Sequence, residues 1–423
     1  MQTSGLITST AMDSHMPSAL PHRAAISADM IDGAVEIETT TAGLLPHRLP
    51  AWARAQCQDA QLAMVEAQPA GVRLRFQSAA TAIELLTVPT KRVYLYMPAR
   101  PDGVYDLLVD GVLTRQASAS GGAVMQIDMA RGTSSIVPGT VQTLRFADLP
   151  AKDKTIEIWL PHDETTVLVA LHADAPVAPV AASKRRRWLH HGSSISQGSN
   201  AAHPSGTWPA VAAARAGVEL RNLGLGGSAM LDPFTARTMR DLPADIISVK
   251  LGINLVNTDS MRLRAFGPAV HGFLDTLREG HRGTPLYVIS PVLCPIHETV
   301  PGPSMVDTSA LREGRLSFRA SGKTEEVRQG KLTLEVIRAQ LQAIVALRAA
   351  TDPNIYYVDG LALYGLEDNA RLPLPDGLHP DGESHRLMGE RFADLVLAAA
   401  AGGSSPHAAT REPDSILNRM QIL

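Results

Sequence analysis

The sequence predicts an α/β protein in two parts, in which an antiparallel β-sandwich or jelly roll precedes a unit built on a parallel sheet. Two observations carry this prediction: the hydrophobic pattern changes near residue 187, and an Ala/Pro-rich stretch, 175–183, separates the two patterns. Before the change, short runs alternate with a period of two between closely spaced turns, which is typical of antiparallel sheets. After it, near-continuous apolar strands alternate with helical segments, which is typical of a parallel sheet covered on both faces.

Each part contains its own set of predicted elements. The strand candidates of the first part are residues 72–76, 82–88, 93–97, 104–109, 125–129, 155–160 and 166–171. The strand candidates of the second part are 188–190, 218–223, 245–251, 285–292 and 354–359, and its helix candidates are 208–216, 234–240, 261–279, 332–350 and 383–400. In such parallel sheets, functional residues lie at the carboxyl ends of the strands.

These patterns divide the chain into five segments. We expect a loose tail (1–30), a β-sandwich domain (31–173), an Ala/Pro linker ending in basic residues (174–186), an α/β domain (187–400) and a second tail (401–423). Within the α/β domain, residues 294–331 form a long irregular insert rich in Pro, Gly, Ser and charge. Such an insert is either a lid or substrate-binding loop, or a plain surface insertion.

Composition and charge exclude several classes of protein. With 45% hydrophobic residues and a net charge of −3, the chain is neither a disordered protein nor a basic nucleic-acid binder. The basic run 184–187 is interpreted as a solvated start of the second domain rather than a nucleic-acid or targeting signal.

The chain has two cysteines, Cys57 and Cys294, in different halves of the sequence, which favours two free thiols over one disulfide. The sequence contains no run of about 18 apolar residues, so no membrane span is predicted. Its first residues lack the pattern of a signal peptide, so we expect a cytoplasmic protein.

Residues 191–198 (HGSSISQG) are the first candidate for chemistry. They follow the predicted strand 188–190, and a serine at the point where a strand ends can present its hydroxyl in a cleft. The backbone N–H of the same serine then lies beside any developing oxyanion. Alone, a Gly/Ser cluster of this kind is more typical of an ordinary turn.

Two further segments follow the next two predicted strands. The glycines of 222–228 (NLGLGGS) allow backbone N–H groups to face a cavity. Neither the GxGxxG nor the GK[ST] spacing of a phosphate-binding loop is present. An ordinary strand-to-helix turn is the alternative interpretation. Asn254, in 250–254 (KLGIN), can direct its amide NH₂ into the cleft as an oxyanion donor, or it can cap the following turn.

Residues 375–380 (PDGLHP) precede the last predicted helix and supply a carboxylate and an imidazole. Asp376 can accept the Nδ1–H of His379, which leaves the other ring nitrogen free to take a proton. Pro380 restricts the backbone of His379 to an extended conformation and so helps to fix the ring. A surface turn is the alternative interpretation.

The remaining candidates do not form a second site. His190, His191 and His203 lack metal-ligand spacing with acidic or cysteine partners, and HExxH is absent, so no metal site and no cofactor are predicted. His190 and His191 are interpreted as packing or cleft-lining residues, and two tryptophans near them, Trp188 and Trp208, as core.

Together, the four segments resemble the sequence blocks of the SGNH hydrolase superfamily, whose members are also called GDSL esterases and lipases. Residues 192–198 resemble the first block, GDSI-T-x-G, with Ser194 at the nucleophile, and Gly227 falls on the glycine of the second block. Residues 252–254 match G-x-N, and 376–380 match D-x-x-H-P. The resemblance covers residues 187 to about 400. Ser193 and Leu255 stand where the family usually has aspartates.

The resemblance implies a three-layer α/β/α domain with a flavodoxin-like parallel sheet; the preceding β-sandwich is similar to that of some carbohydrate esterases. It also implies a catalytic triad of Ser194, Asp376 and His379, and an oxyanion hole formed by the N–H groups of Ser194 and Gly227 and the side chain of Asn254. The expected activity is hydrolysis of a small-molecule ester, with acyl groups on sugars or glycosylated small molecules as candidates. An acyltransferase with the same triad and a non-catalytic glycan- or protein-binding module remain alternatives.

Overall fold

A computed structural model describes residues 18–128, 131–181 and 183–398. The described chain combines mainly antiparallel sheets before residue 182 with a parallel sheet after it, so the predicted mixed α/β class is confirmed. Among the described helices, none is long and apolar enough to span a bilayer.

Two sheets make up the first part of the chain. One has the strand order β10-β9-β6-β13-β4-β3, with β1 paired to β13 and β11 paired to β6; the other has the order β14-β5-β12-β7-β8, with β2 paired to β5. The strands are β1 His22–Ala24, β2 Ile31–Asp32, β3 Glu36–Thr39, β4 Leu44–His47, β5 Arg73–Ser78, β6 Ile83–Tyr94, β7 Val104–Val109, β8 Val112–Ser118, β9 Ala123–Asp128, β10 Thr133–Val137, β11 Gln142–Phe146, β12 Lys154–Trp159, β13 Thr165–Ala173 and β14 Val177–Pro179. Two helices, α1 Ala51–Arg54 and α2 Ala60–Glu66, interrupt them.

Both sheets contribute to one hydrophobic core. Leu85 of β6 and Leu168 of β13 come from the first sheet, and Phe76 of β5 and Ile158 of β12 come from the second. One pair departs from the antiparallel pattern, because β6 and β9 run parallel. The chain crosses from β8 in one sheet to β9 in the other, so β9 is not joined to its neighbour β6 by a hairpin.

The predicted tail and linker both contain short strands. Within the predicted tail 1–30, β1 pairs with β13, and Met30 is buried. Within the predicted linker 174–186, β14 pairs with β5 at the edge of its sheet, where Pro179, which has no N–H, is tolerated. The end of the predicted loose tail is thus a paired strand, and the predicted linker begins with one; residues 1–17 and the predicted tail 401–423 lie outside the described residues.

The second part is organised around a five-stranded sheet with the order β16-β15-β17-β18-β21, and all four strand pairs are parallel. In chain order this is 2-1-3-4-5, the flavodoxin-like arrangement. The strands are β15 Arg187–Gly192, β16 Glu219–Gly224, β17 Ile246–Lys250, β18 Leu286–Ile289 and β21 Ile355–Val358. The helices are α3 Ser194–Gln197, α4 Trp208–Ala216, α5 Pro233–Asp241, α6 Ile253–Asn257, α7 Leu263–Gly280, α8 Thr308–Arg312, α9 Leu334–Ala349, α10 Leu366–Arg371 and α11 Gly382–Phe392.

Alternate residues of β15 point to opposite helix layers, as the period of two in a strand requires. On one face, Trp188 stacks on Phe392 of α11 and contacts Trp208 of α4. On the other face, His191 stacks on Phe273 of α7. The parallel sheet therefore lies between helices on both sides. Trp188 and Trp208 are both fully buried, which confirms their interpretation as core residues.

The insert between β18 and α9 has structure of its own. It contains the antiparallel pair β19 Ser304–Val306 and β20 Phe318–Ala320, with α8 between them. Short 3₁₀ helices flank this pair at Pro295–His297 and Thr324–Gln329. Others lie at Ala28–Met30, Pro204–Gly206 and Gly360–Ala362, and a π-helical turn, Ala393–Leu397, follows α11.

Candidate active site

Ser194 lies at the point where β15 ends. Gly192 closes the strand, Ser193 is extended, and Ser194 opens the four-residue helix α3. A side chain at position 192 would place its Cβ 2.3 Å from Ser196 Oγ, which His190 Nε2 holds at 2.8 Å. Glycine is therefore required for this turn. Ser194 itself is 9% exposed, so it is nearly buried rather than displayed on the open surface.

The structure brings Ser194, His379 and Asp376 into one hydrogen-bonded chain. The Ser194 hydroxyl donates to His379 Nε2 over 2.9 Å, and His379 Nδ1–H donates to Asp376 Oδ2 over 2.8 Å. These three residues come from the first and last loops of the parallel-sheet part. The arrangement holds His379 in the tautomer whose Nε2 can take the serine proton.

Asp376 is buried and receives four hydrogen bonds. Its Oδ1 accepts from the backbone N–H groups of Leu378 and His379 at 2.9 and 2.7 Å. Its Oδ2 accepts from His379 Nδ1 and, at 3.2 Å, from Asn200 Nδ2. Burial raises the pKa of Asp376, but the hydrogen bonds and the charge of His379 outweigh it, so the pKa lies below the ordinary value. Asp376 therefore stays ionised.

Three donors of the predicted oxyanion hole have no acceptor among the described residues. The Oδ1 of Asn254 accepts from Ala229 N–H at 3.1 Å, which fixes the amide and leaves its buried Nδ2 without a partner among the described residues. No described residue accepts from the backbone N–H of Ser194 or of Gly227 either. Gly227 has φ +71°, in the left-handed region. Asn254 does not cap α6, so its side chain is free to serve as an oxyanion donor.

The insert 294–331 contacts the turn that carries Asp376 and His379. Phe318 N–H donates to the backbone oxygen of Asp376 at 2.8 Å, and the Phe318 ring meets His379 edge-on, with the ring centroids 6.1 Å apart. A Cβ at Gly377 would lie 3.2 Å from Phe318 O. Strand β20 therefore lies directly on this turn, which favours the lid or substrate-loop interpretation over a remote surface insertion.

Several polar residues at the site were not identified from the sequence. Asn200, at φ +65°, bonds Asp376, and Gln197 accepts from Gly226 N–H at 2.8 Å. Gln61 of α2 donates to Gly226 O at 2.9 Å. The only available signal was the tolerance of asparagine for a left-handed backbone at position 200. Gln61 is far from the loop in sequence, so no local pattern relates the two.

The other histidines pack as expected. His190 is fully buried between Ser248 and Ser196, and burial lowers its pKa well below the ordinary value. Burial also lowers the pKa of His191 to about 4. His203 lies against Asp106 of β7. Among the described residues, no group of three or more His, Cys, Asp or Glu side chains is placed to hold a metal ion. Cys57 and Cys294 are both free thiols.

No protein-family profile and no curated protein sequence matches the chain. Solved structures do match it. A salicylyl-acyltransferase from a tetracycline biosynthetic pathway is 28% identical with a TM-score of 0.69, covering 88% of this chain and 94% of its own. A Bacteroides ovatus protein named a GDSL-like lipase is 17% identical with a TM-score of 0.59 over the same shares of both chains. A family two carbohydrate esterase from Clostridium thermocellum, in complex with cellohexaose, is 13% identical with a TM-score of 0.53, covering 78% of this chain and 93% of its own.

The chain shares the fold of these structures, one of which is named GDSL-like, so the fold implied by the resemblance to the SGNH hydrolases is confirmed. By name, these three neighbours are an acyltransferase, a lipase-like protein and a carbohydrate esterase.

Proposed function

We propose that this protein is a serine esterase that forms an acyl-enzyme on Ser194. The observation that carries the proposal is the hydrogen-bonded chain from Ser194 through His379 to Asp376, beside three donors that lack acceptors. This combination supplies a nucleophile, a base and stabilisation of an oxyanion. An ordinary structural turn needs none of these.

In the proposed reaction His379 Nε2 removes the hydroxyl proton as Ser194 Oγ attacks the ester carbonyl. The carbonyl electron pair moves to oxygen, where the N–H groups of Ser194 and Gly227 and the Asn254 amide stabilise it. Asp376 holds the imidazole ring and stabilises its positive charge. His379 then protonates the leaving alcohol as the acyl-enzyme forms, and water reverses these steps to release the acid.

The substrate class follows the resemblance to carbohydrate esterases. We propose acetyl or other short acyl esters on a sugar or a glycosylated small molecule. We also propose that residues 31–173 form a β-sandwich domain and 187–400 the catalytic domain, joined by 174–186. The two N-terminal sheets share one core and the parallel sheet has another, which supports this division, although Leu108 and Trp159 of the N-terminal part pack into the second core.

Replacing the nucleophile tests the proposal. Ser194→Ala should reduce hydrolysis of p-nitrophenyl acetate by more than about 10⁴-fold, because the covalent route is lost. It should also abolish labelling by a fluorophosphonate probe, detected by mass spectrometry. The matched control is Ser193→Ala, which removes a buried hydroxyl without a partner in the described chain, and which should keep both properties.

Near-normal hydrolysis by Ser194→Ala would contradict the mechanism. Absence of labelling in the unaltered protein, with no ester cleaved, would instead support the alternative of a binding module whose SGNH site has decayed.

Acyl transfer is a second candidate, because the 28% identical neighbour is an acyltransferase. The same acyl-enzyme would then react with an alcohol rather than water. Product analysis in the presence of added sugar or aromatic alcohols distinguishes the two: an acylated acceptor at the expense of free acid indicates transfer.

A further inference from the structure

The loop that carries Gly227 is held from outside the parallel-sheet part. The Arg48 side chain, fully buried, donates to the backbone oxygen of Gly224 and also to that of Val65 in α2. Gln61 of the same helix donates to Gly226 O at 2.9 Å. The oxyanion loop, defined as residues 224–227, therefore rests on residues of the N-terminal part.

A second connection runs through two buried amides. Gln197 Oε1 accepts from Gly226 N–H at 2.8 Å, while its Nε2 donates to Gln68 Oε1 at 2.5 Å and to His162 O at 3.1 Å. Gln68 in turn donates to Asp163 O at 2.9 Å. Gln197 and Gln68 are 3% and 2% exposed, so water does not substitute for these bonds.

We propose that Gln68 is a positioning residue of the oxyanion hole. By accepting from Gln197 Nε2, it holds the Gln197 amide with its oxygen toward Gly226, and so directs the next N–H, that of Gly227, into the cleft. The inference rests on the proposed function, because it assigns Gln68 a part in the same site.

Close packing makes the loop sensitive to this connection. A Cβ on Gly226 would lie 3.0 Å from Gln197 Oε1 and 3.6 Å from Ser194 Cβ, so the loop is packed directly between the amide and the nucleophile. Gln68 Oε1 and His162 O are the two acceptors of Gln197 Nε2, so without Gln68 the amide keeps only the longer bond to His162 O at 3.1 Å and holds Gly226 N–H less firmly. The loop then has more freedom to move, and shifts of about 1 Å at a reacting centre can cost up to ~10²-fold in rate.

The test is Gln68→Met in the full chain, which keeps the volume of the side chain and removes the acceptor. We expect kcat for p-nitrophenyl acetate to fall about tenfold with KM nearly unchanged, less than the ~10²–10³-fold cost of losing an oxyanion donor outright. Affinity for a trifluoromethyl ketone analogue, whose adduct with Ser194 carries an oxyanion, should fall by the same factor as kcat/KM. The control is Gln77→Met, the same change at an exposed position of β5, which should leave all three quantities unaltered.

A double variant separates positioning from general loosening of the fold. Gln197→Met removes the bond to Gln68 together with the acceptor of Gly226 N–H, so it should lose at least as much rate as Gln68→Met, and the double variant should be no worse than Gln197→Met alone. Gln68→Leu, which also lacks the acceptor, carries the test if Gln68→Met does not fold. Additive losses, or a loss of rate that follows the melting temperature without weaker binding of the ketone, would overturn the proposal.

Ser194→Ala in the same assay distinguishes two kinds of failure. If Ser194→Ala is inactive but Gln68→Met has the full rate, the role of Gln68 alone is overturned. If Ser194→Ala stays active, the proposed function is overturned, and the role of Gln68 with it.

Discussion

The two walls of the cleft are supported in opposite ways. The wall that carries Asp376 and His379 is largely self-contained, since the turn's own N–H groups of Leu378 and His379 bind the Asp376 carboxylate. The wall that carries the oxyanion loop depends on residues such as Gln61, more than a hundred positions away in sequence. A local motif can therefore encode the acid–base side of the site, whereas the oxyanion side requires the whole chain.

The largest effect should come from breaking the self-contained wall. Asp376→Asn should lower kcat by about 10⁴-fold, because the asparagine amide no longer holds His379 in the tautomer that accepts the serine proton. The rate is measured with p-nitrophenyl acetate, with the exposed Asp153→Asn as the control. A loss below about tenfold would show that His379 is held in place without Asp376.

The same variant gives a pH dependence for stability. The pKa of Asp376 is below its ordinary value of 3.8 in the folded chain, so the ionised carboxylate stabilises the fold above that pH, and this contribution is lost as the pH falls through the folded pKa. The stability difference between the unaltered protein and Asp376→Asn should therefore be larger at pH 7 than at about pH 3 in urea unfolding. A difference that grows towards low pH would contradict this sign.

On the oxyanion wall, Asn254→Ala should cost about 10²–10³-fold in kcat, because one donor to the oxyanion is removed. Asn254→Asp keeps an acceptor for Ala229 N–H but replaces the donor by a negative charge, so it should be at least as slow. If Asn254→Asp were instead faster than Asn254→Ala, the bond to Ala229, rather than donation to substrate, would be the role of this residue.

The smallest effect should come from the insert. Phe318→Ala removes the ring beside His379 but keeps the backbone bond to Asp376, so kcat should fall by up to about tenfold, the usual range of one aromatic contact. Arg319→Ala, the exposed neighbour on the same strand, is the control. Equal rates for the two variants would mean that the insert supports the turn only through its backbone.

The sequence predicted the elements that have a strong local signal. The helix predicted at 208–216 has those bounds, and the five strands of the parallel sheet were each predicted within a few residues. The strands β8 and β10 were not predicted, because most of their residues are exposed and no alternation marks a buried face. The predicted strand 82–88 and the first two residues of the predicted strand 93–97 belong to one strand, β6, which ends at Tyr94; Pro89 and the polar residues after it interrupt the hydrophobic pattern.

The same distinction applies to the site. The positions of Asp376 and His379 could be read from a short motif, and the structure places them within hydrogen-bonding distance of each other, with His379 also bonded to Ser194. The helix α2 was missed, although Asp59 before it accepts from Leu62 N–H as an N-cap, because a seven-residue helix among strands has a weak periodic signal. Contacts such as Gln68 with Gln197 arise only when distant segments fold together, so no spacing rule reveals them.

The buried guanidinium of Arg48 has a consequence for how such proteins diversify. This one side chain binds a carbonyl oxygen in the N-terminal part and another in the parallel-sheet part. We therefore expect that neither part can be exchanged for that of a related protein without affecting the other. In a chimera that takes residues 31–173 from a related protein, different side chains would contact the oxyanion loop, residues 224–227. The turnover of such a chimera should depend on how well the two parent sequences match at these contacts, even when both parts fold.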